Sequence, residues 1–396
     1  MKEQLPVREK SYRMLQDLVS GTTIVGEVIL PSGEMLLVGS GEPQFRVTLR
    51  DSRLIQNGLN ESDFAKAYIN GNVEIEGNIE AVLRLRGRIK DRLPVARWLH
   101  FIWLLFHQET KVNKAAIDAH YQLGDDLFLS FIDAKYRLYS HGIFSSANDT
   151  LEDASENRLN DMFNALELRP GMRLLDIGGG WGGVAEYCGQ RGVEVTVLTL
   201  GEDSRRFIMD IITKSALPCN VALEDFLVHR PEKPYDAIVI LGVIEHIINY
   251  RRFFQQIRRC LRVGGKLYLD ASASVEKFDV SVFAREYIWT GTHSYLCLQD
   301  LVRELLYHGM ELLYVKNDSK DYGLTMYHWA LRLEENRAKI TARYGESLYR
   351  AWRLYLWGGS QCFPSMLQAY TLVAALTDKR SAPPTFVRRF LHFIGR

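Results

Sequence analysis

The segment Leu174–Gly183, LLDIGGGWGG, constrains the fold of this chain more than any other stretch. An apolar run ends just after Asp176, and in the loop over residues 178–183 only Trp181 carries a side chain. Glycine is needed where the backbone approaches a ligand closely or adopts positive φ. A buried strand that enters such a loop is typical of open α/β sheets, which bind ligands beyond the carboxyl ends of their strands. The segment therefore predicts a ligand site at a strand end in an α/β fold.

The glycine spacing alone leaves the ligand open. Gly178, Gly180 and Gly183 match the GxGxxG pattern of dinucleotide-binding loops, which is weak evidence when it stands by itself. A tight turn that binds nothing is a further alternative. The decision between these interpretations therefore depends on the surrounding sequence.

Strand-like segments alternate with helical patterns from Arg173 onward, at MRLLDIG, VEVTVLTL, YDAIVILGV and GGKLYLDAS. This alternation predicts a parallel, doubly wound sheet. Short β runs with turn signals over Thr22–Leu85 predict a small α+β domain ahead of it. We therefore expect an N-terminal domain over residues 1–92, a helical linker over 93–112 and an α/β domain over 113–396.

The linker contains the longest apolar run, Trp98–Phe106, which is about half the length needed to cross a bilayer. Arg92, Arg97 and Lys111 flank this run. One interpretation is an amphipathic element at a membrane surface. The other is a helix packed between two domains.

Charge and cysteine content narrow the class of protein. The chain has 49 Lys and Arg against 48 Asp and Glu, so a strong overall field is absent and nucleic acid is not an expected partner. None of the five cysteines forms a CxxC pair, which fits a reducing cytoplasm and predicts no zinc site. The first residues contain no apolar core, so we expect no signal peptide.

The glycine loop resembles the first motif of class I S-adenosylmethionine (SAM) methyltransferases. A narrower resemblance, to cyclopropane-fatty-acid synthases and mycolic acid methyltransferases, depends on many segments in one order: HYQLGDDLF, YSHGIF, LRPGMRLLDIGGGWGG, VIEH, LRVGGKLYLD, REYIW, DYGLT and YLWGGSQCF. It covers essentially all of residues 112–370, and AYINGNVEIEGNI resembles part of the N-terminal domain of long bacterial synthases. The resemblance implies a Rossmann-like methyltransferase domain with a helical cover over an acyl tunnel.

The resemblance also implies which residues hold SAM. In this class an acid contacts the adenine amino group beside an apolar wall, which matches Asp225 next to Phe226; a helix N-cap is the alternative use of Asp225. Glu202 and Asp203 are candidates for ribose contacts, although Thr199–Ser204, TLGEDS, departs from the family pattern. The implied SAM contacts are Tyr139, Ser140, Asp176, Gly178, Gly180, Trp181, Gly182, Thr199, Leu200, Glu224, Asp225, Phe226 and Leu241.

The reaction implied by the resemblance is attack of a cis double bond in an acyl chain on the methyl group of SAM. The chain becomes a carbocation, and loss of a proton gives a cyclopropane ring or a branch. Such a cation requires a pocket without water, and aromatic faces can stabilise it. The aromatic candidates are Tyr139, Phe144, Tyr287, Trp289 and Tyr322, with core packing the better explanation for Phe144 and Trp289.

In the family, bicarbonate accepts the proton and is held by a Cys, a Glu-His pair, a His and a Tyr. The matching positions here are His141, Glu245 with His246, Asp270 and Tyr322, so the Cys and the His are replaced. Asp270 beside Glu245 disfavours a bound bicarbonate, because nearby like charges resist ionisation. We therefore expect Asp270 to be a built-in base with His141 as its partner, or His141 to be the base itself.

Other uses of these side chains stay open. Asp270 at a strand end is also suited to cap a helix, and His246 to support its neighbours. His141, Glu245, His246 and Asp270 are metal-ligand types, but no ligand spacing motif is present and methyl transfer needs no metal, so we expect none.

The expected function is transfer of the SAM methyl group to a cis double bond in an unsaturated phospholipid, giving a cyclopropane or methyl-branched fatty acid. The alternatives are C- or N-methylation of a soluble metabolite and a non-catalytic protein that binds SAM or lipid. The resemblance implies membrane phospholipid as a partner, a cytoplasmic location at the inner face of the membrane, and a homodimer.

Overall fold

A computed structural model of the protein describes residues 7–56, 59–89, 124–277, 280–289 and 293–379, together with Thr385, Val387, Phe390 and Leu391. The expected linker over 93–112, with its Trp98–Phe106 run, lies outside the described residues.

The N-terminal part combines a small sheet with short helices. Its elements are α1 (Val7–Val19), β1 (Gly26–Ile29), β2 (Met35–Val38), β3 (Phe45–Leu49), α2 (Arg53–Gln56), α3 (Glu61–Ile69), β4 (Val73–Gly77), α4 (Ile79–Arg84) and a 3₁₀ turn (Leu85–Arg88). The strand order is β2-β1-β3-β4, and only the β1–β3 pair is parallel. Alternate residues of β3 point inward, as the period of a strand requires. The predicted mixed character is therefore present, with helices α3 and α4 flanking β4.

The larger part is an open sheet with helices on both faces. Its elements are α5 (Asp125–Leu129), α6 (Leu151–Ala165), β5 (Arg173–Ile177), α7 (Gly183–Gly189), β6 (Glu194–Thr199), α8 (Glu202–Lys214), β7 (Cys219–Leu223), β8 (Tyr235–Leu241), a 3₁₀ turn (Ile244–His246), α9 (Tyr250–Cys260), β9 (Leu261–Ala273), α10 (Val282–Tyr287), α11 (Leu298–Tyr307), β10 (Met310–Asn317), α12 (Ser319–Glu335), α13 (Arg337–Tyr344), α14 (Glu346–Cys362) and β11 (Gln368–Leu376). The strand order is β10-β11-β9-β8-β5-β6-β7.

The four predicted strands form β5, β6, β8 and β9, which run parallel as expected. The sheet is nevertheless mixed, because β11 lies between β9 and β10 and is antiparallel to both. The sequence analysis named no strand beyond GGKLYLDAS and so missed β11. Its sequence, QAYTLVAAL, is mostly apolar and is buried along most of its length. A short apolar run of this kind cannot be distinguished from a buried helix by periodicity.

The two parts of the molecule pack against each other through α14. This helix contacts α3 and α4, and side chains from both parts belong to one hydrophobic cluster. Arg350 on α14 donates to both carboxylate oxygens of Glu74 at 2.9 Å, and Arg353 donates to the Tyr68 hydroxyl at 2.7 Å. The N-terminal part is thus fixed against the helical cover of the larger sheet. None of the described helices has the length and apolar character to cross a membrane.

Candidate active site

A cavity of about 470 Å³ lies at the glycine loop, and we call it the loop cavity. Gly178 has a φ of 76°, and a Cβ atom there would lie 2.6 Å from Val243 Cγ2. A Cβ atom on Gly180 would meet nothing within 4 Å. The loop backbone therefore forms the cavity floor at a point where a side chain at residue 178 would clash. Of the predicted SAM contacts, the lining includes Tyr139, Ser140, Asp176, Gly178, Gly180, Trp181 and Leu241.

Asp176 lies in the loop cavity near the end of β5 and is 2% exposed. Its Oδ2 atom has no hydrogen-bond partner among the described residues. Burial raises the pKa of Asp176 to about 7. Burying a carboxylate oxygen without a partner is unfavourable, and a bound cationic group would compensate for it. The arrangement fits the ammonium group of an amino-acid moiety.

Three predicted contacts support the loop instead of lining the cavity. Gly182 precedes α7 in the left-handed conformation, with a φ of 80°. Thr199 Oγ1 accepts a hydrogen bond from the Gly201 amide at 3.2 Å, and Leu200 lies between them in the chain. In the same turn, Ser204 Oγ donates to the Gly180 carbonyl and ties the turn to the glycine loop.

The predicted adenine and ribose contacts lie outside the loop cavity. Asp225 Oδ1 accepts from the Leu227 amide at 2.8 Å and so closes a turn; no helix begins here, so Asp225 is not the helix N-cap given above as the alternative. Phe226 is buried against Phe253, with ring centroids 5.6 Å apart, and Glu224 pairs with His229 Nδ1 at 2.7 Å. An adenine contact by these residues remains a prediction.

The ribose candidates both form ion pairs within α8. Glu202 pairs with Arg205, and Asp203 pairs with Arg206. The four side chains are partly to largely exposed, so their ion pairs contribute little to stability.

A second cavity, of about 570 Å³, adjoins the loop cavity and shares Tyr139 and Gly242 with it. We call it the central cavity. Its wall is largely aromatic and contains Tyr139, His246, Trp289, His293, Tyr295, Tyr322, Trp329, Tyr355 and Phe363.

Three of the five predicted aromatic candidates, Tyr139, Trp289 and Tyr322, line the central cavity. The other two do not. Phe144 stacks on His328 with centroids 5.3 Å apart, and Tyr287 packs against Phe283. Trp289 thus lies at the cavity despite the expectation that it is only a core residue.

Glu245 is the one carboxylate in the wall of the central cavity, among the residues that the structure describes. It follows β8 in a 3₁₀ turn and is 3% exposed. Its Oε1 atom accepts from the Ser272 amide and hydroxyl, both at 2.9 Å, whereas Oε2 has no partner within the described ranges. Burial raises the pKa of Glu245 to about 7, although the bonds from Ser272 act in the opposite direction. Ser272 therefore fixes the Glu245 carboxylate through Oε1, and Oε2 is available to a ligand.

His246 and Tyr322 are two further polar side chains in this wall that the sequence analysis predicted. Burial lowers the pKa of His246 to about 4, so its ring is neutral near pH 7. Its ring lies 5.4 Å from that of Trp289. Tyr322 stacks on Phe363 with centroids 4.5 Å apart, and burial raises the pKa of its hydroxyl well above the usual value. Both side chains are thus uncharged parts of an apolar chamber.

Asp270 does not reach the central cavity, contrary to the role expected for it. The carboxylate is fully buried and accepts from Ser140 Oγ at 2.9 Å, from the Gly242 amide at 2.7 Å and from Arg158. Because cationic and neutral donors surround it, Asp270 acts here as a counter-ion. The structure does not support its prediction as a built-in base.

His141 also lies behind the cavity wall. Its Nε2 atom is 3.3 Å from Asp318 Oδ2, and its Nδ1 atom is 4.0 Å from Asp270 Oδ2. Its ring lies 5.1 Å from that of Tyr322. His141 is therefore a buried neighbour of the wall and contacts no part of the cavity directly.

The sequence analysis missed Arg158, the cation at the centre of this buried polar cluster. Arg158 on α6 is fully buried and donates to Asp270, to Thr371 Oγ1 at 2.7 Å and to Asp318 at 3.3 Å. Burial alone raises the pKa of Asp318, but the His141 hydrogen bond and the Arg158 charge outweigh it and hold that pKa below its usual range.

A sequence signal for Arg158 did exist. It occupies a buried position on α6, at helical spacing from Leu151, Ala154 and Met162. An arginine within such an apolar stripe requires a buried acid as its partner.

No group of three His, Cys, Asp or Glu side chains in the described part of the chain is arranged to hold a metal ion.

Comparison with known proteins places this site in a family. The family model described as mycolic acid cyclopropane synthetase matches residues 108–371. A probable fatty acid methyltransferase of Mycobacterium tuberculosis is 27% identical over 327 residues, which cover 79% of this chain and 74% of that protein. A sphingolipid C9-methyltransferase of Candida albicans is 25% identical over 317 residues, covering 74% of this chain but only 61% of that protein.

Solved structures agree on the fold. The cyclopropane synthase MmaA2 from Mycobacterium tuberculosis aligns with a TM-score of 0.62 at 24% identity, covering 66% of this chain and 98% of that chain. Coclaurine N-methyltransferase, solved with N-methylheliamine and S-adenosylhomocysteine, aligns with a TM-score of 0.64 at 18% identity, over 79% of this chain and 99% of that chain. The mixed seven-stranded sheet is thus that of class I methyltransferases, and the unpaired Asp176 oxygen beside the glycine loop suits their cofactor. The chain belongs to the mycolic acid cyclopropane synthetase family of SAM-dependent methyltransferases.

Proposed function

We propose that this enzyme methylates a cis double bond in the acyl chain of a membrane phospholipid, with Glu245 as the proton acceptor. The observation that carries the proposal is the central cavity, an aromatic chamber that adjoins the loop cavity and contains one buried carboxylate with a free oxygen. The relatives named as fatty acid and sphingolipid methyltransferases support a lipid substrate.

The residues of the loop cavity fit SAM, which supplies an electrophilic methyl group when bound. The glycine loop admits the ligand close to the backbone, and Asp176 Oδ2 is placed to accept a hydrogen bond from an ammonium group. Tyr139 and Gly242 form the boundary with the central cavity, where the double bond would lie.

The central cavity suits the charge that develops on the acyl chain. When an alkene carbon takes the methyl group, the methyl–sulfur bond would break with its electron pair leaving on the neutral thioether, and the neighbouring chain carbon would become positive. Faces of Tyr139, Trp289 and Tyr322 can stabilise that charge, and the apolar wall keeps out water that would trap it as an alcohol.

Glu245 can then remove a proton. Loss from the new methyl group closes a cyclopropane ring, and loss from the chain carbon on the other side of the cation leaves a methyl-branched alkene. A methylene branch requires a hydride shift first, which moves the positive charge to the carbon that carries the methyl group, and then loss of a proton from that methyl group. The proton passes to Oε2, the oxygen without a partner among the described residues. A carboxylate that replaces bicarbonate in this way explains how the reaction tolerates the altered positions His141 and Asp270.

The test is product analysis with methyl-labelled SAM and vesicles of a cis-monounsaturated phosphatidylglycerol, with and without added bicarbonate. Ceramide vesicles and a panel of soluble amines serve as alternative acceptors. We expect labelled cyclopropane or branched fatty acid without bicarbonate, and a rate that rises with pH through about 7, because the ionised form of Glu245 is the base. Label only in ceramide or amines would overturn the phospholipid assignment, and a strict need for bicarbonate would overturn the role of Glu245.

Peripheral membrane contact, a cytoplasmic location and a homodimer are part of the same proposal. Co-sedimentation with anionic vesicles and analytical ultracentrifugation test the first and the last.

A further inference from the structure

A third cavity lies beside the central cavity, and most of its wall belongs to the N-terminal part of the molecule. We call it the N-terminal cavity. It shares Tyr295, Tyr355, Gly359 and Leu367 with the wall of the central cavity. The loop, central and N-terminal cavities therefore lie in series, and each shares wall residues with the next.

Most of the N-terminal cavity wall is apolar and comes from the small sheet and its helices. Val28, Val47 and Leu49 on the strands face Leu15 on α1 and Phe64 on α3. Glu61 and Arg86 are the only charged side chains in this wall among the described residues, and they pair with each other at 2.9 Å. An anionic ligand group would lose its hydration there and find only Arg86 Nε, on a guanidinium whose charge Glu61 already compensates.

The sequence of α14 keeps this space open. Gly358 and Gly359 lie within the helix, where each glycine is less favourable than alanine by about 1 kcal/mol. Gly358 is buried and lines the N-terminal cavity, yet a Cβ atom on it would meet nothing within 4 Å. A buried helical glycine that faces open space is explained by the need to leave room beside the helix.

The cavity is also part of a fixed interface. The Arg350–Glu74 and Arg353–Tyr68 bonds join α14 to the small sheet and to α3. These bonds lie outside the cavity wall, and they fix the position of α14 against the small sheet that supplies the rest of the wall.

We propose that the N-terminal part binds the methyl-terminal end of the acyl chain, beyond the double bond that lies in the central cavity. This inference rests on the proposed function. It adds that the N-terminal part makes the enzyme selective for the length of the acyl chain beyond the double bond. The polar head of the lipid stays outside this series of cavities, because its charge finds no partner in the N-terminal cavity.

The test compares oleoyl and myristoleoyl phospholipids, which carry the double bond at the same distance from the carboxyl group but differ in the length of chain beyond it. Gly358→Leu places a large side chain in the N-terminal cavity and replaces glycine with a better helix former. Gly358→Ala fills less of the same cavity. Gly87→Leu is the matched control, since Gly87 is exposed and its Cβ would also meet nothing within 4 Å. We expect Gly358→Leu to lower the oleoyl to myristoleoyl ratio of kcat/KM by at least about tenfold, Gly358→Ala by less, and Gly87→Leu to leave it unchanged.

The other possible results contradict either the inference or the proposed function. An unchanged ratio in a folded Gly358→Leu variant, or an equal loss for both chains, would overturn the inference. Failure of the parent enzyme to methylate either lipid would instead overturn the proposed function. In that case fluorescence of cis-parinaric acid decides the inference: binding by the parent that Gly358→Leu abolishes supports it, and binding that is absent or unaffected overturns it.

Discussion

Two buried polar regions lie close together at the central cavity, one behind its wall and one within the wall, and their charges are paired to different degrees. Behind the wall, Arg158, Asp270 and Asp318 form a fully buried ion cluster in which the charges face opposite charges. In the wall, Glu245 has one oxygen held by Ser272 and the other without a partner in the described chain. Paired charges hold elements together, whereas a buried charge with a free atom is available for chemistry.

This difference is clearest in the two carboxylates themselves. Glu245 and Asp270 both lie at or just beyond strand ends, on the neighbouring strands β8 and β9. Asp270 is surrounded by donors, while burial raises the pKa of Glu245 to about 7. Four substitutions test whether this division into a structural and a functional acid is correct.

Glu245→Gln should have the largest effect. Removing the proton acceptor while keeping the shape should lower kcat by about 10²–10⁴-fold, with a normal affinity for SAM. The measurement is single-turnover transfer of labelled methyl to phospholipid. Glu152→Gln is the control, because Glu152 pairs with Arg332 outside the central cavity. If Glu245→Gln and the parent had comparable activity, Glu245 would not be the proton acceptor.

Arg158→Met should act on stability instead. It leaves Asp270 buried without its cation and leaves Asp318 with Lys316 as its remaining cationic partner, which should lower the free energy of unfolding by about 3–5 kcal/mol. Urea denaturation measures this loss. Adding Asp270→Asn to Arg158→Met should restore part of it, since one uncompensated charge is then removed. If Arg158→Met were as stable as the parent, the fold would not depend on this ion cluster.

Asp176→Asn extends the comparison to the second buried acid with a free oxygen. Loss of the charge-assisted hydrogen bond should weaken SAM binding by about 10–100-fold, as measured by isothermal titration calorimetry. Glu194→Gln, an exposed site on β6, should bind as the parent does. Parental affinity in Asp176→Asn would contradict the assignment of Asp176 to the cofactor.

The smallest expected effect is a gain in stability from Glu245→Gln. The folded-state pKa of Glu245 is raised from 4.5 to about 7, so ionisation of this group destabilises the fold progressively between these values and fully above them. Glutamine lacks this penalty, and the variant should be more stable than the parent by up to about 3 kcal/mol at pH 8 but not at pH 4. Denaturation at both pH values measures the difference, and an equal difference at the two pH values would contradict the shifted pKa.

Much of the architecture was predictable because it depends on local patterns. The strands β5, β6, β8 and β9 follow from apolar runs between helical segments, and the glycine loop follows from its composition. The strand β11 was not predictable, because its apolar run has no period that separates a central strand from a buried helix.

The candidate site was predictable only in part. Glu245, His246 and Tyr322 came from the resemblance and do line the central cavity, as Tyr139 and Trp289 also do. The role expected for Asp270 was not supported, because its partner Arg158 lies 112 residues away in the chain and no local pattern joins the two.

The sequence by itself determined the class of fold, the glycine loop with Asp176, and the family. These depend on periodicity and on short motifs, both of which are local features of the sequence. Only the tertiary structure decided which buried acid is paired and which is free, and that the N-terminal part adds a cavity to the central one. Pairing and enclosure depend on groups brought together from distant positions, such as Arg158 with Asp270 and Gly358 with the strands of the small sheet.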